Sequence, residues 1–395
     1  SLLASTPRWA HIKNWLLRRP PGESCSKGKP VAEHPYRALP DKAFWRRSVA
    51  VPDYSEVDPV GEFRLRIRPQ TRVATAGSCF AQHIARHLKK SGFNYYVAET
   101  GHPILPQAVR DNHNYGVFSA RYGNLYTARQ LVQLIKRAYG KFSPSEGAWV
   151  EGDGRVLDPF RPTVQPGGYV SVDEMLWDRK QHLACVRRMF ETLDVFVFTL
   201  GLTECWLSRA DGAAFPLCPG VEGGTFDAGS YAFRNQDVNE VYGDLDEFLA
   251  ILGGINERAQ VILTVSPVPL MATAQPGAHV LSATTYSKSV LRVAADMICR
   301  RHDRVHYFPS FEIITGQYAR GRYFAQDLRG VTEEGVSHVM RLFLKHVTEG
   351  QVFERVASAP SSEALAGSAT QDQTVAEAER LIEVECDEVA LDRPE

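Results

Sequence analysis

The residues best placed to do chemistry lie in one stretch, Arg72–His83, RVATAGSCFAQH. A hydroxyl and a thiol, Ser78 and Cys79, follow Gly77 directly. Val73-Ala74-Thr75-Ala76 reads as a short buried strand, and Ala81, Ile84, Ala85 and Leu88 recur at helical spacing just after it. Strand, glycine turn and helix N-terminus together present a nucleophile. Gly77 permits a turn where a Cβ would clash. The unsatisfied N–H groups and positive end of the helix favour a thiolate or a developing oxyanion. The same stretch also reads as tight packing, with Ser78 as the helix N-cap.

Other reactive types stand after later strands. Thr199-Leu200-Gly201-Leu202-Thr203-Glu204-Cys205-Trp206 places a carboxylate and an indole beside a small-residue loop. Glu204 is either a base or orienter near the site or an anchor of its loop. Trp206 either stacks on a sugar face or packs in the core. Lys288 is a base, an anion contact or a first-turn surface lysine. Arg121, Arg161 and Arg329 are anion or sugar-hydroxyl contacts, or salt bridges that hold insertions down. No HExxH, paired-cysteine or clustered-carboxylate spacing points to a metal, and no phosphate loop or G-x-G-x-x-G points to a nucleotide.

The elements that must position these groups alternate. Strands are expected at 73–76, 94–98, 195–200, 260–265 and 305–308. Helices are expected at 81–91, 128–139, 174–192, 238–256, 287–301 and 332–346. Short apolar strands between amphipathic helices mean a parallel sheet covered on both faces. In such sheets sites lie at the carboxyl ends of the strands. Insertions are expected at about 101–172 and 205–236, the second with a hairpin at Asp211-Gly212.

The bounds are those of an ordinary globular chain: 395 residues, 44% hydrophobic and net charge −1. Nothing in that balance calls for nucleic acid or an anionic membrane. No apolar run approaches a membrane span, and no signal-peptide pattern opens the sequence. The seven cysteines are odd in number and irregularly spaced, which argues against a disulfide framework and for a reducing, cytoplasmic compartment. Residues 1–70 are expected to form a basic arm, with an amphipathic helix at 8–17 that either packs on the main domain, the reading preferred, or seeks a membrane surface. Residues 71–350 form that domain, and 358–395 an acidic, disordered tail with a weak helix at 375–384.

Taken together, GSCFA at Gly77–Ala81, RYGN-x-YTARQL, FTLGLTE-x-W, LTVSPVPL, YSKSVLR and YFPSFEI resemble the GSCFA family of the SGNH/GDSL hydrolase superfamily. The resemblance runs from about His34 to Leu344. It implies a flavodoxin-like three-layer α/β/α sandwich and acyl-ester chemistry on O-acylated sugars or lipids. Laying Gly77-Ser78-Cys79 on the superfamily's Gly-Asp-Ser puts Cys79 in the nucleophile slot, and a slip of one residue puts Ser78 there. The oxyanion donors fall on Gly123-Asn124 and on Gly201 with Thr203, a threonine standing where the superfamily has asparagine. The closing Asp-x-x-His falls on Asp327, with Gly330 in the histidine's place. The base must then come from elsewhere, and His279 and His102 rank above His338.

The expected function is transfer or hydrolysis of an O-acyl group, acetyl above all, on a carbohydrate-like acceptor. A tailoring step in polysaccharide biosynthesis, with acetyl-CoA or another acyl thioester as donor, suits a reducing compartment. No tightly bound cofactor is expected. The rival readings are a non-catalytic carbohydrate-binding or assembly protein that keeps the fold, and another sugar-directed transferase using Glu204 or Asp327 as base.

Overall fold

The computed structural model describes residues 34–349 and 387–392. In chain order the elements are β1 (Val73–Gly77), α1 (Phe80–Lys90), α2 (Gln107–Asn112), α3 (Ala128–Ala138), β2 (Trp149–Val150), β3 (Val156–Leu157), α4 (Val172–Thr192), β4 (Val195–Leu200) and β5 (Glu204–Ser208). There follow β6 (Ala214–Phe215), β7 (Tyr231–Asn235), α5 (Val238–Ile255), β8 (Gln260–Val265), α6 (Val280–Arg301), β9 (Val305–Tyr307), α7 (Ser310–Thr315) and α8 (Glu333–Val347).

Strands β1, β4, β8 and β9 pair in that order, all parallel. They are β-branched, aromatic and small-residue runs buried almost throughout, the pattern of a sheet covered on both faces. The period of two divides their side chains. Ala74, Ala76, Phe196, Phe198, Leu263 and Val265 face one core with α3, α4, α5 and α6. Val73, Val195, Val197 and Ile262 face the other with α1, α7 and α8. Helices therefore flank the sheet on both sides. The expected strand at 94–98 contracts to a single parallel bridge between Tyr95 and Val73. It stands on the outer side of β1, so the order reads Tyr95, β1, β4, β8, β9. Connections reverse direction between β1 and β4, and the crevice at such a switch point is where open α/β sheets bind ligands.

The helices start where side chains satisfy their first N–H groups. Thr127 with Gln130 and Asp237 with Glu240 form capping boxes for α3 and α5; Ser171 and Thr332 cap α4 and α8. Helix α6 begins at Val280, seven residues before the expected start, because His279 caps it through Nδ1.

Two small sheets carry the insertions. Strands β5, β6 and β7 form an antiparallel sheet, with the β5–β6 turn at Asp211-Gly212, and β2 pairs with β3. Trp149, Phe160, Phe215 and Tyr231 make a core between them. The first insertion is pinned by buried charge. Asp158, fully buried, accepts from Arg161 (2.9 Å) and Arg179 (2.7 Å); Asp178 pairs with Arg121 (3.0 Å) and Arg161 (2.8 Å). Buried ions persist only when paired in this way. Of the N-terminal arm, His34–Val51 is a run of short helical turns, largely exposed. The helices expected at 8–17 and 375–384 lie outside the described residues. No helix among the described residues is long and apolar enough to cross a membrane.

Candidate functional site

The turn after β1 is fixed by main-chain bonds. Gly77 has φ +135°, and a Cβ there would lie 2.3 Å from the Thr199 carbonyl oxygen, so only glycine lets β1 and β4 close at this level. Ser78 N–H donates to that same carbonyl (3.2 Å), and Leu125 N–H donates to the Gly77 carbonyl (2.9 Å). The Tyr126 carbonyl in turn accepts from the N–H groups of Gly201 and Leu202, each 2.9 Å. The turn at 77–79 is thus tied through the main chain to Leu125 and Tyr126, and through Tyr126 to Gly201 and Leu202, beside the two segments on which the resemblance places the oxyanion donors.

Ser78 is 3% exposed, and its Oγ has no hydrogen-bond partner among the described residues. Thr199 Oγ1 and Thr264 Oγ1 share that condition, and Thr199 stands in register between Gly77 and Thr264. Buried hydroxyls are normally satisfied, so three unpartnered ones in register at the carboxyl ends of β1, β4 and β8 set this level of the sheet apart. Gly201 packs directly on Ser78: a Cβ at Gly201 would lie 3.2 Å from the Ser78 Cβ. Lys288 closes the arrangement. It sits in the third turn of α6, not the first, is 2% exposed, and its Nζ donates to the Gly201 carbonyl at 2.7 Å. Asn124 is buried beside Leu125, and Gly123 takes φ +69°.

Cys79 is the N-cap of α1, with helical backbone angles, and is buried. It is disulfide-bonded, whereas Cys185, Cys205, Cys218 and Cys299 are free. The reading of the cysteines as free thiols of a reducing compartment is corrected at Cys79. Spacing along the chain does not reveal which sulfurs meet in space, and cysteine usage gives no ground for a reducing compartment.

Other expected site residues have different employment. The Thr203 hydroxyl donates to Asn235 Oδ1 (2.7 Å), so its proton is not available to an oxyanion; its N–H is held by Ser287 Oγ (3.0 Å). Glu204 anchors the loop after β8, accepting from Thr273 Oγ1 (2.6 Å) and Ala274 N–H (3.3 Å), while burial pushes its carboxyl above the usual range. Trp206 packs against Phe226 and Phe233 on the small sheet. Arg121 is 1% exposed and engaged by Asp178 and the carbonyls of His113 and Val164, which makes it a structural strut and not a sugar contact. Arg161 has the same role.

The histidines divide clearly. His279 is exposed, its Nδ1 capping α6, and it precedes Lys288 by ~13 Å along the helix. His102 is also exposed, with Nδ1 accepting from Ile104 N–H. His338 is not on the helix surface: it is buried and its Nδ1 meets the Tyr323 hydroxyl at 2.6 Å. Asp327 is exposed and caps its own turn, accepting from Arg329 and Gly330 N–H. At Gly330 an added Cβ meets only ordinary contacts, 3.5 Å from Ala325 Cβ and Asp327 Oδ1.

His83 lies on α1 one turn after Cys79. It is half-buried, against Phe80, and near Glu333 of α8.

Comparison with known families gives a match to the GSCFA family model over residues 72–343, which spans every segment of the site. No curated protein matches the chain.

Proposed function

The chain belongs to the GSCFA family, and we propose that it transfers or hydrolyses an O-acyl group on a carbohydrate-like substrate at the Gly77-Ser78-Cys79 turn. The observation that carries this reading is the orphaned, buried Ser78 hydroxyl at a strand–turn–helix junction, at the switch point of the sheet. An SGNH-like, flavodoxin-like fold accords with the strand order and with the helices on both faces.

In the disulfide-bonded chain the attacking group is Ser78, since the Cys79 sulfur is occupied. Reduction frees a thiolate in the position that the superfamily register favours, at a helix start that lowers its basicity. The tetrahedral oxyanion is held by main-chain N–H groups of the turn with Gly123 and Asn124. Lys288 fixes the Gly201 carbonyl, and so the wall against Ser78. An acyl thioester such as acetyl-CoA is the donor class if the reaction is transfer.

Hydrolysis of p-nitrophenyl acetate tests this. Ser78→Ala is expected to lower turnover of the oxidised protein at least ~100-fold, as loss of a nucleophile does. Cys79→Ala is expected to abolish any additional turnover that a dithiol brings. Turnover unchanged in both variants sinks the proposal. The second reading, a glycan-binding protein without turnover, is favoured by one observation, the glycine at position 330 where the superfamily carries its imidazole. It predicts glycan binding in every variant and ester cleavage in none.

A further inference from the structure

Leu125, whose N–H holds the Gly77 carbonyl, and Tyr122, whose hydroxyl holds the Thr75 carbonyl, also line a small cavity among α3, α4 and the first insertion. Its volume is about 20 Å³, room for one particle of the size of a water and too little for a sugar. We infer that this cavity binds one small anion of the size of chloride, held between Arg137 and His182 and taken up together with a proton. The inference stands apart from the acyl-transfer reading above.

The lining carries three basic side chains, Arg137, Arg161 and His182, and no carboxylate. Arg161 is answered by Asp158 (2.9 Å) and Asp178 (2.8 Å), and the other oxygen of Asp158 accepts from Arg179 (2.7 Å). Arg137 has no such answer. It is part-buried, stacks on Phe160 with its guanidinium carbon 4.1 Å from the ring centroid, and makes no hydrogen bond or ion pair with any described residue. Burial lowers its guanidinium to about 9; Asp158 opposes that shift, while Arg179 and Arg161 add to it. A charge taken out of water is normally paired. The face of Phe160 attracts a cation but offers its N–H groups no oxygen. An anion in the cavity supplies the missing partner.

His182 gives the second, independent sign. It is 1% exposed, and its Nδ1 lies 2.8 Å from Glu99 Oε2, so the carboxylate accepts the Nδ1 proton. Its Nε2 is buried without a partner among the described residues. A buried nitrogen in that condition calls for a water or an ion. Without an anion the ring is neutral at pH 7, because burial first and then Arg161 lower its pKa against the pull of Glu99. Nε2 is then a bare lone pair, which an anion avoids. Binding therefore draws a proton from solvent onto Nε2, which donates to the anion while Nδ1 keeps Glu99. The charges that face the ring are Glu99, Arg161 and Asp158, with the Tyr122 ring edge-on at 6.4 Å. Since the bound form holds the extra proton, affinity rises as pH falls.

The test is the melting temperature of the full chain as sodium chloride replaces sodium gluconate at constant ionic strength, gluconate being too large for the cavity. Chloride is expected to raise it saturably by about 2 °C or more at pH 6. Half-saturation should need at least ~3-fold less chloride at pH 6 than at pH 8. Arg137→Gln is expected to fold and to lose the response. Equal melting in chloride and gluconate for the wild type overturns the site, as does an undiminished response in Arg137→Gln. The same half-saturation at both pH values overturns the coupled proton. Bromide soaked into wild-type crystals and located by anomalous diffraction decides the matter without any variant. A peak within hydrogen-bond reach of Arg137 and His182 Nε2 supports the site, and a cavity without one overturns it.

Discussion

Gly330 occupies a position where a side chain has room. Its backbone is not left-handed, and the nearest atoms to an added Cβ are at van der Waals distance. Gly330→His in the otherwise native chain is therefore expected to fold normally. It should raise p-nitrophenyl acetate turnover about tenfold, toward the contribution of a placed general base. A folded variant with no gain shows that position 330 does not face the reacting hydroxyl. At this scale the sequence was partly legible. The Gly77 turn could be read because a glycine between a strand and a helix has few other uses. Lys288 could not be placed, because histidine is an unusual N-cap and the true start of α6 at Val280 was hidden. Thr203 was misjudged and Arg121 left between two readings for a common reason: their partners, Asn235 and Asp178, lie far along the chain.

At the level of elements, the contact between β1 and β4 sets the height of the whole turn. Gly77→Ala places a methyl 2.3 Å from a carbonyl oxygen at φ +135°. It is expected to destabilise by about 3 kcal/mol or more, measured by denaturant unfolding. Helix α8 gives a pH signature. Burial first, with Arg341 adding to it, lowers the His338 pKa to about 4, while the unfolded chain titrates near 6.5. Between those values the unfolded state binds the extra proton, so stability is complete above pH 6.5 and is lost as pH falls toward 4. A drop on the order of 2 kcal/mol between pH 7 and pH 4.5 is expected from this group. His338→Gln should flatten it; an undiminished pH slope contradicts the assignment. The main strands and long helices were legible because their periods of two and 3.6 are set by burial. The strand at 94–98 was not, because one bridge at Tyr95 replaces the ladder its composition suggests.

For the molecule as a whole, two cores on the faces of one sheet account for the scaffold, and the insertion from 101 to 172 is the part that patterning could not resolve. Outside α3, which was legible, it carries little regular structure and is held by Asp158, Asp178, Arg121, Arg161 and Arg179, whose pairing depends on distances in space. Asp158→Ala leaves buried guanidinium groups without their carboxylate. The expected cost is ~3–5 kcal/mol, because an uncompensated buried charge remains. Raising salt to 1 M should change that difference little, since these ions are shielded from solvent.

The bonds that seat the Gly77-Ser78-Cys79 turn run from peptide to peptide: Ser78 to Thr199, Leu125 to Gly77, and Gly201 and Leu202 to Tyr126. A socket wired through its frame keeps its shape whatever is plugged into it. Exchanging the side chains at positions 78 and 79 is therefore expected to leave the receptacle where it was, so that their chemistry can be varied without rebuilding the scaffold.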